Sequence, residues 1–232
     1  MRLTRERLPA GPSILRYQPE PRSGRPTVLL IHGLTASAAG LDHLAAYLAT
    51  RGFPVTSLDL PGHPLGATGG TLDSFQHAVE TTLQVLDTLP PPVVVGGHSF
   101  GGGCAAAAAT QRKVAGLFLV AVAPVAALVP GASPLVARMQ SQRAGYVDGA
   151  PLDTLLGEMR ELMLGPLHTL AGLPVLAVGA RQDIVIQPAD VEKWKDRLPH
   201  IALEFVEGSH QDAPTNGRVH IWRWLERLGA PP

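Results

Sequence analysis

Apolar residues along this chain come in two rhythms. Short unbroken runs rich in valine, leucine and isoleucine alternate with longer stretches in which apolar positions recur every three or four residues. The unbroken runs predict strands over 27–31, 55–60, 93–97, 117–122, 175–179 and 203–206. The periodic stretches predict helices over 38–50, 72–89, 100–111, 188–197 and 216–228. The second of these carries Phe75, Val79, Leu83 and Leu86 on one face. Strands that are apolar on both faces, separated by amphipathic helices, mean a parallel sheet covered on both sides, so the fold class is α/β. Residues 2–7 and 14–18 alternate more and are expected to pair as an antiparallel entry hairpin.

The alternation breaks between Pro124 and His168. Leu152, Leu155, Leu156, Met159, Leu162 and Met163 fall at helical spacing, and a weaker helix is expected over 134–143. Three of the four methionines, Met139, Met159 and Met163, lie in this interval. One reading is an extra helical pair packed on the core. The other is a small helical cap, 124–168, inserted in a single domain, whose flexible thioethers shape an acyl pocket.

Composition narrows the function classes. At 232 residues and 45% hydrophobic content, the chain suffices for one well-buried domain. Nineteen basic residues balance nineteen acidic ones, which argues against a nucleic-acid partner or an anionic membrane surface. Cys104 is the only cysteine, so no disulfide framework or multi-cysteine zinc site is expected, and its alanine-rich surroundings predict a buried, inert thiol. The opening MRLTRERLPAGPS lacks the apolar segment of a secretory signal, and the longest apolar run, 114–129, is interrupted by Gly116 and Pro124. The expectation is a soluble cytoplasmic protein with no membrane span and no metal.

The candidate chemistry sits in VVVGGHSFGGGCAAAAAT, 93–110. Gly97-His98-Ser99-Phe100-Gly101 is a Gly-x-Ser-x-Gly sequence between a predicted strand and a predicted helix, and that context distinguishes it from a chance match. A sharp strand-to-helix turn lifts the serine hydroxyl above the sheet edge, and side chains two residues to either side would strike backbone. The N–H of Phe100, at the start of the helix, can then receive an oxyanion forming beside Ser99.

Serine needs a base and an orienting acid. Among nine histidines, His210 in EGSHQDAP follows the last strand, on the same edge of a parallel sheet as Ser99. Asp183 in LAVGARQDIVIQP follows another strand. Asp190 falls inside the next helix, and Asp212 is too close in sequence to His210 to hold its far nitrogen. His32, beside Gly33, fits a loop-shaping role, and His98 should point away from the Ser99 hydroxyl. The loop LLIHGLTAS supplies a second oxyanion donor in the N–H of Leu34.

These pieces carry a family resemblance. LLIHGL, VTSLDLPGH, VVVGGHSFGGG, VLAVGARQDIVIQP and FVEGSHQDAP span Leu29 to Pro214. In that order they resemble the α/β-hydrolase family, of the serine esterase and lipase kind. The resemblance implies an eight-stranded, mostly parallel sheet, a triad of Ser99, Asp183 and His210, an oxyanion hole from Leu34 and Phe100, and no cofactor. Two features depart from it. Pro64-Leu65-Gly66 follow the DLPGH loop where a glycine and a small polar residue are more typical, and the cap interval is shorter than in many relatives. A serine nucleophile is unlike a dehalogenase or epoxide hydrolase, and Phe100 replaces the methionine usual in cofactor-free perhydrolases. The expected activity is hydrolysis of carboxylic esters with a small to medium apolar acyl group. Thioester, lactone or carbon–carbon bond hydrolysis on the same triad, or small-ligand binding without turnover, are the alternatives.

Overall fold

A computed structural model describes residues 1–9, 11–21, 23–124, 147–165 and 167–228. Eight strands form one sheet: β1 (Arg2–Arg7), β2 (Ser13–Gln18), β3 (Thr27–Ile31), β4 (Val55–Leu58), β5 (Val93–His98), β6 (Gly116–Val120), β7 (Val175–Ala180) and β8 (Ala202–Val206). Their order is β1-β2-β4-β3-β5-β6-β7-β8. β1, β2 and β4 pair antiparallel, while β3 to β8 run parallel. The carboxyl ends of these six strands therefore open on one edge. β1 is the exposed edge strand, and its Arg-Leu-Thr-Arg-Glu-Arg sequence discourages pairing with another chain.

Helices cover both faces: α1 (Asp42–Ala49), α2 (Phe75–Leu86), α3 (Phe100–Gln111), α4 (Leu152–Leu164), α5 (Pro188–Glu192), α6 (Trp194–Arg197) and α7 (Ala213–Leu228). On one side Leu29, Ile31, Val93, Val95 and Leu119 pack with α2, α3 and α4. On the other, Val28, Leu30, Val94, Phe118 and Val120 pack with α1 and α7. Strand residues alternate between these two clusters, which is why the strands read as unbroken apolar runs. Fully burying each such side chain is worth about 2 kcal/mol.

Element ends differ from the predicted ones for local reasons. β6 stops at Val120 because Ala121 takes φ +52°, which an extended strand does not allow. α2 starts at Phe75 because Ser74 caps it, its hydroxyl accepting the His77 N–H at 2.9 Å. The segment 38–50 opens as a 3-10 turn, Ala38–Leu41, before α1. The 188–197 helix is divided at Lys193. α7 begins at Ala213 with Pro214 in its first turn, a position that tolerates a residue without an N–H.

Of the 124–168 interval, α4 and a 3-10 turn, Leu167–Leu170, fall among the described residues. Met139 and the 134–143 helix lie outside them. α4 packs on α2 and α3: Glu158 accepts the Phe75 N–H at 2.7 Å, while Met159 and Met163 are buried in the core cluster. The segment leading into α4 is pinned through Asp148, which exchanges backbone hydrogen bonds with Gly62 and Leu72. A side chain at Gly103 would come within 2.8 Å of the Met159 sulfur, so this glycine makes room for α4 rather than for the sheet.

Candidate active site

Ser99 stands at the junction of β5 and α3 with φ +53° and ψ −122°. That conformation is strained for any residue but glycine and persists only where its surroundings enforce it. The Ser99 N–H donates to the Val120 carbonyl of β6 at 2.9 Å, and the Ser99 carbonyl accepts the Gly102 N–H at 2.9 Å. The turn is so tight that a Cβ at Gly97 would lie 2.2 Å from the Gly101 carbonyl oxygen, and one at Gly101 2.3 Å from that of His32. Thr35 and Ala121, also at positive φ, follow the strands on either side of β5. Strain is thus concentrated at three adjacent strand ends.

Asp183 and His210 meet across the ends of β7 and β8. His210 Nδ1 lies 2.7 Å from Asp183 Oδ2, and both side chains are buried. The other carboxylate oxygen, Oδ1, accepts the N–H groups of Val185 and Ile186, each at 2.8 Å. This carboxylate is therefore held on both oxygens, one by backbone and one by the ring. The imidazole ring of His210 lies against that of His98, with centroids 4.7 Å apart. His98 Nε2 donates to the His210 carbonyl at 3.0 Å, so the residue preceding the serine is bonded directly to the histidine loop. The structure thus brings the loops bearing Ser99, Asp183 and His210 to one edge.

Neither the Leu34 N–H nor the Phe100 N–H makes a hydrogen bond among the described residues. Leu34 belongs to the loop after β3, and Phe100 opens α3, where the first N–H groups of a helix have no internal partner. The other competing groups are spent elsewhere. Asp212 accepts the Ser209 N–H and hydroxyl, bonds that hold its carboxyl below the usual range, and Asp190 pairs with Lys193. Cys104 is fully buried, and burial pushes its thiol pKa up, away from the reactive thiolate.

Several supporting residues escape a reading of the sequence. Gln182 joins the Asp183 and His210 loops: its N–H donates to the Gly208 carbonyl at 3.0 Å, its side-chain carbonyl accepts the Gly208 N–H, and its amide donates to Glu207 at 2.7 Å. Asp59, fully buried at the end of β4, accepts the N–H groups of Ala38 and Ala67 and pairs with Arg5 at 2.9 Å. These bonds shape the 61–68 loop that departs from the family pattern. An acid closing an apolar strand was the available signal for Asp59. Gln182 carried none. His32 is likewise buried, between Gly33 and Leu60, and burial followed by the neighbouring His63 pushes its pKa down to about 4.

Comparison with known proteins agrees with this architecture. A family model described as "Alpha/beta hydrolase family" matches residues 28–232. No curated protein sequence matches the chain significantly. Among solved structures, a mutant N-acyl homoserine lactonase, AidH, complexed with N-hexanoyl homoserine lactone superposes with a TM-score of 0.76 at 18% identity, over 99% of each chain. The thioesterase domain from the curacin biosynthetic pathway gives 0.74 at 18% identity, over 98% of this chain and 100% of that one. A monoacylglycerol lipase from Paleococcus ferrophilus gives 0.71 at 19% identity, over 99% and 100%. At these identities the likeness is one of fold. No helix among the described residues is long and apolar enough to cross a membrane.

Proposed function

Because the chain belongs to the alpha/beta hydrolase family, we propose that it is a serine hydrolase of carboxylic esters with Ser99 as nucleophile, His210 as base and Asp183 as orienting acid. The observation that carries the reading is the buried Asp183–His210 pair, 2.7 Å apart, beside a serine held at φ +53°. An inert turn needs neither a strained serine nor, on the loop bonded to the residue before it, a buried histidine paired with a carboxylate.

In this reading the Nδ1–H of His210 donates to Asp183, leaving Nε2 as the basic nitrogen. His210 takes the Ser99 proton as the hydroxyl oxygen attacks the acyl carbon. The carbonyl oxygen becomes an oxyanion bound by the Leu34 and Phe100 N–H groups, and Asp183 stabilises the imidazolium. Collapse breaks the ester bond, and His210 gives its proton to the leaving alcohol. Water then repeats the sequence on the acyl-enzyme, releasing the acid and restoring Ser99.

The apolar residues at helical spacing over 152–163 favour an uncharged acyl group. The test is an acyl-chain profile with p-nitrophenyl esters from short to medium length, with Ser99→Ala as control. Hydrolysis by the wild-type protein and its loss by several orders of magnitude in the variant is the expected result. No hydrolysis, with Ser99→Ala indistinguishable from wild type, refutes the reading. Faster turnover of a thioester or lactone on the same preparation reassigns the substrate while leaving the nucleophile in place.

A further inference from the structure

Gly33 and Leu34 share one trans peptide plane, so the Gly33 carbonyl points opposite to the Leu34 N–H. Whatever fixes the carbonyl also aims the N–H. The carbonyl oxygen lies 2.8 Å from His32 Nδ1 and accepts the Ala36 N–H at 3.1 Å.

The His32 ring is itself held from the other side. The Leu60 N–H donates to His32 Nε2 at 3.0 Å. A backbone N–H can only donate, so Nε2 is the bare nitrogen and Nδ1 carries the proton. That proton is the one donated to Gly33. The ring has no exposed surface, and the edge of the His63 ring packs against it with centroids 4.8 Å apart. His63 Nδ1 donates to the Pro61 carbonyl at 2.8 Å. The imidazole is therefore a strut from the end of β4 to the loop after β3.

We infer that His32 is a positioning residue for the oxyanion hole: its imidazole ties the Leu60 N–H to the Gly33 carbonyl and so aims the Leu34 N–H at the oxygen that becomes negative beside Ser99. The inference rests on the proposed role of Ser99 and deepens it. A donor on the carbonyl also polarises the shared peptide, making its N–H a better donor. A ring serving only to fill space would need neither the tautomer nor the second partner.

Two isosteres separate these roles. In His32→Asn the amide nitrogen occupies the place of Nδ1 and can still donate to Gly33, but nothing reaches Leu60. In His32→Gln the terminal amide oxygen reaches the place of Nε2 and can accept from Leu60, but the Gly33 donor is lost. The readout is the second-order rate of Ser99 labelling by a fluorophosphonate, whose phosphoryl oxygen enters the oxyanion hole whatever the natural substrate, with a thermal melt of each variant. H32Q should label about 100-fold more slowly than wild type, the scale of losing one oxyanion donor. H32N should label at least tenfold faster than H32Q. A smaller ratio, or the reverse order, overturns the inference.

Should either variant fail to fold, the wild-type protein labelled with 15N decides. A bare Nε2 on His32, with a Leu34 amide proton that moves downfield in the phosphonylated protein, supports the inference. A protonated Nε2, or an unmoved Leu34 amide, overturns it. Labelling without ester hydrolysis in the wild type overturns the ester reading alone. No labelling of the wild type overturns both.

Discussion

Replacing Asp183 by asparagine exchanges one carboxylate oxygen for an amide group and leaves the shape of the site intact. Oδ1 of Asp183 accepts two backbone N–H groups, from Val185 and Ile186, so the amide oxygen of the variant must stay there. The new NH2 group is then directed at His210 Nδ1, which has to accept rather than donate. The imidazole is driven into the tautomer with its proton on Nε2, so in the proposed mechanism it can no longer act as the base for Ser99. Two losses follow. The imidazolium forming during attack no longer lies beside a buried carboxylate. At a charge separation of about 4 Å and an effective dielectric of about 20, that attraction is on the order of 4 kcal/mol. Restoring the productive tautomer costs a further fraction, and each 1.4 kcal/mol or so is tenfold in rate. The expected drop in kcat is about 10³ to 10⁴, the scale of the equivalent change in a serine protease.

Stability should respond differently. The D183N variant keeps every hydrogen bond by count, so Tm should shift by no more than about 3 °C, the equivalent of about 1 kcal/mol in a chain of this size. Asp183→Ala instead abandons the Val185 and Ile186 N–H groups, at about 1 to 3 kcal/mol each. The assay is initial-rate hydrolysis of a p-nitrophenyl ester, with active sites counted by fluorophosphonate titration and a thermal melt on the same samples. D183N retaining more than a tenth of the wild-type kcat refutes the reasoning, because the base would then be independent of the residue that fixes its tautomer.

The two glycines of opposite circumstance should diverge: Gly97→Ala places a methyl 2.2 Å from a backbone oxygen and should cost about 3 kcal/mol or more, seen as loss of soluble protein or a collapsed melt, whereas Gly157→Ala, with nothing within 4 Å inside α4, should raise stability by roughly 0.5–1 kcal/mol. Acid should destabilise the fold through His32. Its folded pKa of about 4 lies below the ordinary 6.5, so the unfolded chain binds the proton first. Its contribution is present in full above about pH 6.5 and is lost progressively down to about pH 4, to a total on the order of 3 kcal/mol. Chemical denaturation at pH 7.5 and 4.5 should show a smaller loss in H32N than in wild type, and equal losses count against a buried neutral imidazole.

How much of this was legible in the sequence depends on how local the cause is. The elbow is written in contiguous residues: valines for the strand, glycines where a side chain would meet backbone, alanines where α3 lies against the sheet. Asp183 and His210 could be singled out as candidates because a parallel sheet puts every strand's carboxyl end on one edge, so a position after a strand is already a position on the edge where the two pair. The ties among loops were not readable. That Gln182 bonds Gly208, that Asp59 holds Ala38 and Ala67, and that His98 reaches the His210 carbonyl depend on distances between segments far apart in sequence. Ala121 shows the same limit at a strand end. Nothing in its residue type announces a positive φ, which follows from its place beside the elbow.

The buried ionisable side chains make a pattern that no single element explains. Among the described residues, the fully or nearly fully buried histidines and aspartates are His32, Asp59, His63, His98, Asp183 and His210, and each lies at or just beyond the carboxyl end of a parallel strand. A buried imidazole or carboxylate is tolerated only where fixed partners replace water. In the middle of this sheet, strands spend their N–H and carbonyl groups on one another. At the carboxyl edge the chain turns away, and the freed backbone groups become partners: Leu60 N–H for His32, Pro61 carbonyl for His63, Val185 and Ile186 N–H for Asp183. The edge that can hold polar side chains rigidly out of water is therefore also the edge that can aim them. Moving His210 to the start of β8 would preserve its chemistry but not its surroundings, and a histidine without those surroundings would be neither fixed in tautomer nor excluded from water.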